Sequence, residues 1–224
     1  MIDAALFDLD GTLVDNMRVH AEAWVEVSRR LGCERPLDFF ATVTAGKKGI
    51  EILRMLLGPE RPDAELERFH EEKEVLYRKR FAPHLALVPG AMKLLERLAA
   101  ARIPCGLATL APKANRDLVL DGLGLRVFFK SIIGAEQAPR GKPHPDIYLA
   151  SARALNVEPA RCVVFEDAIA GVQSAVAAGI PTVALTTAAG TEALREAGAS
   201  WVVPDFLALP AEVDELLFGA LRAS

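Results

Sequence analysis

The chain has 224 residues, is 51% hydrophobic and 25% charged, and carries 26 Lys+Arg against 30 Asp+Glu for a formal net charge of −4. That length allows one large domain or two modest ones, and the apolar fraction excludes wholesale disorder. The mild acidity argues against a nucleic-acid partner, which calls for a basic stripe, and no apolar run approaches the roughly 18 residues of a membrane span.

The N-terminal run Met-Ile-Asp-Ala-Ala-Leu-Phe-Asp lacks a basic n-region and has an early Asp3, so a signal peptide is not expected. Ile2 to Asp8 reads as a short buried strand. It runs out into Phe7-Asp8-Leu9-Asp10-Gly11-Thr12. Two carboxylates two residues apart share one face of an extended segment, and Gly11 permits a sharp turn. An Asx-Gly turn of ordinary polar residues has the same letters. A calcium loop of the EF-hand type does not fit: its required Gly and Glu positions hold Leu13 and Val19.

From Asp15 to His84 no strand is apparent. Helical patterns cover Arg18–Leu31, Gly49–Leu57 and Ala64–Phe81, punctuated by Pro36, Gly58–Pro59 and Pro62. A helical module over residues 16–84 is therefore predicted as an insertion after the first strand, with 13 Lys+Arg and 12 Asp+Glu. The acidic excess lies in the remainder.

Beyond the insertion, strand and helix alternate. Strands are expected at Pro104–Thr109, Ser131–Gly134, Arg161–Phe165, Pro181–Thr186 and Trp201–Val203. Helices are expected at Ala91–Ala101, Lys113–Leu123, Pro145–Leu155, Gly171–Ala178 and Thr191–Ala197. Near-continuous apolar strands are buried on both faces, as in parallel sheets. The alternation predicts an α/β fold: a doubly wound, Rossmann-like core, residues 1–15 plus 85–224, with right-handed crossovers.

Ligands of such sheets bind beyond the carboxyl ends of the strands. Thr109 follows the second strand and can either donate to an oxyanion or cap a helix. Lys142 stands in Gly141-Lys142-Pro143-His144-Pro145-Asp146, where two prolines stiffen the loop. It reads as a phosphate clamp or as a solvated lysine, and its glycine spacing is not that of a P-loop. Glu166 and Asp167 end the fourth strand, as helix-capping acids or as a metal site shared with Asp8. Gly171, in the first turn of the next helix, would permit close backbone packing.

Together these place Asp8, Asp10, Thr109, Lys142, Glu166 and Asp167 at one sheet edge. Four crowded acids repel, and burial raises their pKa values; a divalent cation plus Lys142 resolves the repulsion. Cys33, Cys105 and Cys162 form no C-x-x-C, and His20, His70, His84 and His144 form no H-x-x-x-H. A disulfide framework and a zinc cage are thereby disfavoured, a reducing, cytoplasmic setting fits, and the expected metal is oxygen-bound Mg2+. The set suits phosphoryl transfer: nucleophile, acid/base, metal and cationic clamp.

These residues resemble the haloacid dehalogenase-like hydrolases, whose hallmark D-x-D-G-T stands here as Asp8-Leu9-Asp10-Gly11-Thr12, followed in order by Thr109, Lys142 and Glu166-Asp167. The resemblance spans essentially the whole chain. The helical insertion is similar to the cap of the subgroup holding β-phosphoglucomutase, sugar phosphatases and phosphoglycolate phosphatase. His20 and Trp24 in H-A-E-A-W, the Gly-Lys-Pro-His-Pro-Asp run and Glu-Asp-Ala-x-Ala-Gly resemble the β-phosphoglucomutase-like members.

The resemblance implies that Asp8 attacks phosphorus to form an aspartyl-phosphate, and that Asp10 protonates the leaving oxygen and later deprotonates water. It implies that Thr109 and Lys142 hold the transferring group. Magnesium would be held by Asp8, the backbone carbonyl of Asp10 and Asp167, with Glu166 direct or through water. True dehalogenases usually lack an acid at the position of Asp10, so phosphate esters are favoured.

The cap would choose the substrate through His20, Thr44, Gly46, Lys47, Lys48 and Lys73. Lys47 and Lys48 either reach a second anionic group or are a solvated pair. Lys73 and Tyr77 align with a Lys and a Tyr of the mutase cap. The mutase's cap arginine corresponds to Gly49 and its nearby lysine to Ala45, which counts against glucose-phosphate isomerisation.

The expectation is a Mg-dependent phosphatase for a small phosphorylated metabolite of the sugar-phosphate kind. A phosphomutase and a non-catalytic binding protein are the alternatives. Neither nucleic acid nor membrane is an expected partner, and a monomer or weak homodimer is expected. Hinges near Val14–Asn16 and His84–Val88 would let the cap open and close.

Overall fold

Six strands form one parallel sheet: β1 (Ala4–Phe7), β2 (Cys105–Ala108), β3 (Phe129–Ile133), β4 (Cys162–Glu166), β5 (Thr182–Leu185) and β6 (Trp201–Val203). Their order is β3-β2-β1-β4-β5-β6, with every neighbouring pair parallel. The computed structural model describes residues 2–44 and 47–219; the candidate Gly46, and Ala45 beside it, lie outside the described residues.

β1, β2, β4 and β5 are buried along their whole length, the reason their sequences are apolar runs rather than alternations. Successive side chains leave opposite faces of a strand. Ala5, Phe7, Val163 and Phe165 pack into one layer, and Ala4, Leu6, Cys162 and Val164 into the other. The Phe7 and Phe165 rings stack 4.7 Å apart; full burial of each contributes about 1.5–3 kcal/mol.

The described residues form nine α-helices: α1 (Met17–Arg30), α2 (Gly49–Leu57), α3 (Asp63–Phe81), α4 (Ala91–Ala100), α5 (Lys113–Gly122), α6 (Asp146–Ala154), α7 (Ile169–Ala177), α8 (Thr191–Glu196) and α9 (Ala211–Phe218). Leu94 of α4, Val119 of α5 and Leu217 of α9 cover one face. Ile147 of α6 and Ala175 of α7 cover the other. The sheet is therefore doubly wound, and strand order reverses between β1 and β4, the place where such sheets bind ligands.

α1, α2 and α3 form the helical cap. Ala21, Trp24, Phe40, Ile52, Leu53 and Leu66 make a core of its own. Ala23, Tyr77 and Phe81 instead join the sheet-side core, so α1 and α3 are apolar on two sides and root the cap. The two connections to the sheet run together. Val14 bridges Leu87, and the Val88 N–H donates to the Leu13 carbonyl at 2.9 Å.

The structure departs from the expected elements at β1, which begins at Ala4 rather than Ile2, and in four further places. β3 begins at Phe129, two residues early, because Phe129 pairs with Cys105 before the register slips. α7 begins at Ile169, ahead of Gly171. A π-helical turn spans Phe39–Val43, with the Thr42 and Thr44 hydroxyls donating to the Asp38 and Phe40 carbonyls at 2.6 and 2.8 Å. α9 was not expected. It buries Val213, Leu217 and Phe218, and Arg97 makes a bidentate contact to Asp214 at 2.9 Å. Its start signals are Pro210 and the first-turn acids Glu212 and Asp214. No helix among the described residues is long and apolar enough to cross a membrane.

Candidate active site

The register of the central strands builds the site. Phe7 pairs with Phe165, and the Asp8 N–H donates to the Phe165 carbonyl at 3.0 Å. The residues that leave these strands thus lie side by side. Carboxylate oxygens of Asp8, Glu166 and Asp167 fall within 4.8 Å of one another, all buried.

Lys142 enters from the loop before α6. Its Nζ donates to Asp8 Oδ1 at 2.7 Å and to Glu166 Oε1, and lies 5.2 Å from the Tyr148 ring centre. Glu166 is saturated with donors. Oε1 also accepts from the Tyr148 hydroxyl at 2.9 Å, and Oε2 accepts from the Asp167 and Ala168 amides at 2.7 and 2.9 Å. A carboxylate offers about four lone-pair positions, so Glu166 reaches a further group only by giving up one of these. Gly171 makes this fold-back possible: a Cβ there would stand 1.8 Å from Glu166 Oε1.

Asp167 is less complete. Oδ1 accepts from the Thr12 hydroxyl at 3.1 Å, while Oδ2 is buried without a partner. Gly11, at φ +78°, opens the space for it: a Cβ there would lie 1.9 Å from Oδ2.

Asp10 faces the cap. The Asn16 amide donates to Asp10 Oδ1 at 2.6 Å, and Asn16 Oδ1 accepts from the Gly11 N–H at 3.1 Å. His20 Nε2 lies 3.6 Å from Asp10 Oδ2, and its ring stacks on Tyr77 at 3.7 Å. Lys73 Nζ is 2.7 Å from His20 Nδ1. An ammonium can only donate, so Nδ1 accepts and the imidazole proton sits on Nε2, toward Asp10.

Electrostatics divide the acids. Burial pushes Asp8 up to about 7, with Lys142 pulling down and Glu166 pushing further up. Burial and the charges of Glu166 and Asp8 drive Asp167 well above the usual carboxylate range. Burial also acts on Glu166, but Lys142 and two backbone amides outweigh it and hold the carboxyl below its ordinary value. Asp10 is held low in the same way, by His20 and Asn16 against burial. Lys142 stays above its ordinary value because Asp8 and Glu166 outweigh its burial.

Three buried acids thus share one ammonium, and two of them resist ionisation. The edge is short of positive charge, holds an orphaned carboxylate oxygen, and presents only hard oxygen donors. These residues fit a divalent cation of the magnesium type.

A cavity of about 330 Å³ lies between sheet edge and cap. Every expected site residue among those described lines it: Asp8, Asp10, Thr109, Lys142, Glu166 and Asp167 from the core, and His20, Thr44, Lys47, Lys48 and Lys73 from the cap. Thr109 does not cap α5, which starts at Lys113; its Oγ1 accepts from the Ala111 N–H at 3.1 Å and leaves the O–H to donate. Thr44 spends its hydroxyl on the Phe40 carbonyl.

The Lys47 and Lys48 ammonium groups have no carboxylate partner among the described residues, although the Lys48 N–H donates to Glu51 Oε2 at 3.1 Å, and the Lys48 side chain lies across Gly141 of the core loop. Lys73, by contrast, is buried and paired with Glu74 Oε1 at 2.9 Å. At Gly49 a Cβ would stand 2.1 Å from the His70 ring, so His70 fills the space of a side chain there. Sequence reasoning missed Asn16, Tyr148 and the His70–Gly49 packing. Asn16 alone left a signal, a polar residue four positions beyond Thr12 at the start of the helical insertion.

Comparison with known proteins agrees with this site. A family model described as haloacid dehalogenase-like hydrolase matches residues 2–179. Validoxylamine A 7'-phosphate phosphatase of Streptomyces hygroscopicus subsp. limoneus is 36% identical over 202 residues, covering 88% of this chain and 92% of that protein. Hexitol phosphatase A of Escherichia coli (strain K12) is 38% identical over 196 residues, covering 85% and 86%. The crystal structure of β-phosphoglucomutase from Clostridium difficile superimposes with a TM-score of 0.85 at 28% identity, covering 100% of both chains. With its six-stranded parallel sheet, helical cap and acid-lined cavity, the chain belongs to the haloacid dehalogenase-like hydrolases, an enzyme family represented among these relatives by phosphatases.

Proposed function

We propose that this protein is a magnesium-dependent phosphatase that hydrolyses a small monophosphorylated metabolite, a sugar or polyol phosphate, through an aspartyl-phosphate on Asp8. The carrying observation is the pairing of Asp8 and Asp10 in one cap-covered cavity, with Lys142 Nζ 2.7 Å from Asp8 Oδ1. Lys142 holds one oxygen of Asp8 and leaves the other to attack phosphorus in line. The Asp8–phosphorus bond forms as the ester bond breaks, and Asp10 gives its proton to the departing oxygen. In the second half Asp10 takes a proton from water, the water oxygen bonds to phosphorus, and Asp8 leaves with inorganic phosphate as the product.

Asp10 is held ionised by His20 and Asn16 before substrate arrives. An approaching phosphate dianion raises a nearby carboxyl's pKa, which loads Asp10 as an acid. Thr109 donates its hydroxyl to the transferring group, and the cap excludes water. Asp8, the backbone carbonyl of Asp10 and Asp167 would hold magnesium, with Glu166 direct or through water; when bound, the ion supplies the missing positive charge beside the phosphoryl oxygens.

The substrate class is supported by relatives whose names are those of phosphatases acting on validoxylamine A 7'-phosphate and on hexitols. A phosphomutase is the second reading, favoured by the likeness to β-phosphoglucomutase. Against it stand Gly49, whose side-chain space is taken by His70, and Lys73, whose charge is matched by Glu74. Substrate choice rests with residues 16–84, a cap hinged near Val14–Asn16 and His84–Val88. A reducing, cytoplasmic setting suits the three free cysteines, and the protein works as a monomer or weak homodimer.

The test is release of inorganic phosphate from a panel of sugar, polyol and nucleotide monophosphates. Turnover that disappears in EDTA and in Asp8→Asn is expected. No turnover on any phosphate ester overturns the proposal, and conversion of β-glucose 1-phosphate to glucose 6-phosphate would favour the mutase.

A further inference from the structure

We infer that Glu74 is a positioning residue through which closure of the cap sets the substrate-facing wall, and that Asn115 of the core is the contact that reports closure. The inference rests on the phosphatase reading of the cavity. Glu74 lies on α3 and is 3% exposed. Its Oε1 accepts from Lys73 Nζ at 2.9 Å and lies 3.0 Å from His70 Nε2; both partners line the cavity. Its Oε2 accepts from the Asn115 amide at 2.7 Å.

Asn115 belongs to α5, on the sheet side, and is fully buried. Its Oδ1 accepts from Arg78 Nη1 at 2.9 Å. Glu74 and Arg78 are one helical turn apart and share a face of α3. One core side chain is thus gripped, donor end and acceptor end, by two cap side chains. The grip is independent of the paired linkers at Val14 and Leu87.

The chemistry of Glu74 makes the grip consequential. Burial favours its neutral form, but Lys73 and His70 outweigh burial and keep the carboxyl ionised. A buried carboxylate that loses a donor is costly. When the cap lifts and Asn115 departs, Oε2 must find water or rotate. Rotation draws Lys73 from His20 Nδ1, and with it the constraint that aims the His20 Nε2 proton at Asp10. The wall formed by Lys73, His70 and His20 is therefore complete only when the cap is shut on α5.

Spin labels report closure directly. Cys33 is the accessible native cysteine, Cys105 and Cys162 being buried, and Val127, 86% exposed on the core, accepts a second label as Val127→Cys. Asn115→Asp places a second carboxylate against Glu74 Oε2, and the distance distribution should move toward a longer, broader one. Asn115→Ala, which adds no charge, should shift it less in the same direction. Glu74→Gln combined with Asn115→Asp restores a donor–acceptor pair and should return the distribution toward the parent.

On the best phosphate ester, Asn115→Asp should lower kcat/KM by about tenfold, the worth of one charge-assisted hydrogen bond. The loss should fall mainly on KM, with recovery in the pair. Unchanged distances in both Asn115 variants, or a double variant no better than Asn115→Asp, would overturn the role of Glu74. Absence of all turnover in the parent chain would instead overturn the phosphatase reading, while the distances still decide the latch.

Discussion

Replacing Gly11 with alanine would separate two effects that meet at one residue. Gly11 has φ +78°, a left-handed conformation that costs a non-glycine residue about 1–2 kcal/mol. A smaller unfolded-state entropy offsets about 0.4–1 kcal/mol of that. The new Cβ would also stand 1.9 Å from Asp167 Oδ2, so the carboxylate must retreat by about 1.5 Å to reach the 3.4 Å of ordinary contact.

Gly32 is the control. Its φ is +71°, and nothing lies within 4 Å of a Cβ there. Both variants should therefore melt a few degrees lower in EDTA, at about 2–4 °C per kcal/mol for a chain of this size. Only Gly11→Ala should disturb Asp167 and its bond from Thr12. Its half-saturating magnesium concentration for phosphate release should rise about tenfold or more, the size of a displaced metal-supporting contact. Gly32→Ala should keep the parent's value. Equal magnesium dependence in the two variants would refute the assignment of Asp167 to the ion.

Three further outcomes follow from the same geometry. Asp8 in the folded, metal-free protein titrates near 7, above the ordinary 3.8, so its protonated form favours folding; that contribution is complete below about pH 4 and lost as pH rises through 7. The displacement amounts to about 4 kcal/mol, and in EDTA Asp8→Asn should gain stability over the parent by urea denaturation at pH 8 but much less at pH 5; a gap independent of pH would contradict it. Lys142→Met leaves Asp8 and Glu166 buried without their shared cation, a loss of about 3–5 kcal/mol that added magnesium should partly restore, and unchanged urea stability would argue against the pairing. Gly49→Ala drives a methyl into the His70 ring and should cost about 1–3 kcal/mol of overpacking, relieved in the Gly49→Ala, His70→Ala pair; additive losses in thermal melts would show that the two do not touch.

The strands β1, β2 and β4 were legible because they are short, wholly buried and followed by chemistry, whereas β3, partly exposed, starts two residues ahead of its expected position. Ala-Ala-Leu-Phe and Cys-Val-Val-Phe are apolar at every position, and each runs straight into acids. Period and punctuation likewise mark α1, α2 and α3. The π-helical turn carries no such period, and α9 is a short amphipathic helix whose Pro210 start is its main signal.

Within the site, residue types at strand ends were readable, but their division of labour was not. Glu166 and Asp167 are adjacent, yet one is saturated with donors and the other has an orphaned oxygen. That difference arises from Tyr148, arriving on α6, and from the bare backbones of Gly171 and Gly11. The Glu74–Asn115 contact spans 41 residues and two elements with no shared motif. Long-range side-chain pairing of this kind is set by how helices pack, which local pattern does not encode.

The bridge between Val14 and Leu87 also bears on how such a protein diversifies. Because the chain leaves and re-enters the sheet at a single point, the helices between those residues are, to the core, one closed loop. An insertion with the same end-to-end spacing can be exchanged for another without changing the register of any strand. Val14 pairs with Asp10 as well, so whatever is grafted there inherits a pivot one bridge from the proposed acid/base. Reaction and recognition can thus drift at separate rates, the first fixed by the strand ends and the second carried by an interchangeable part.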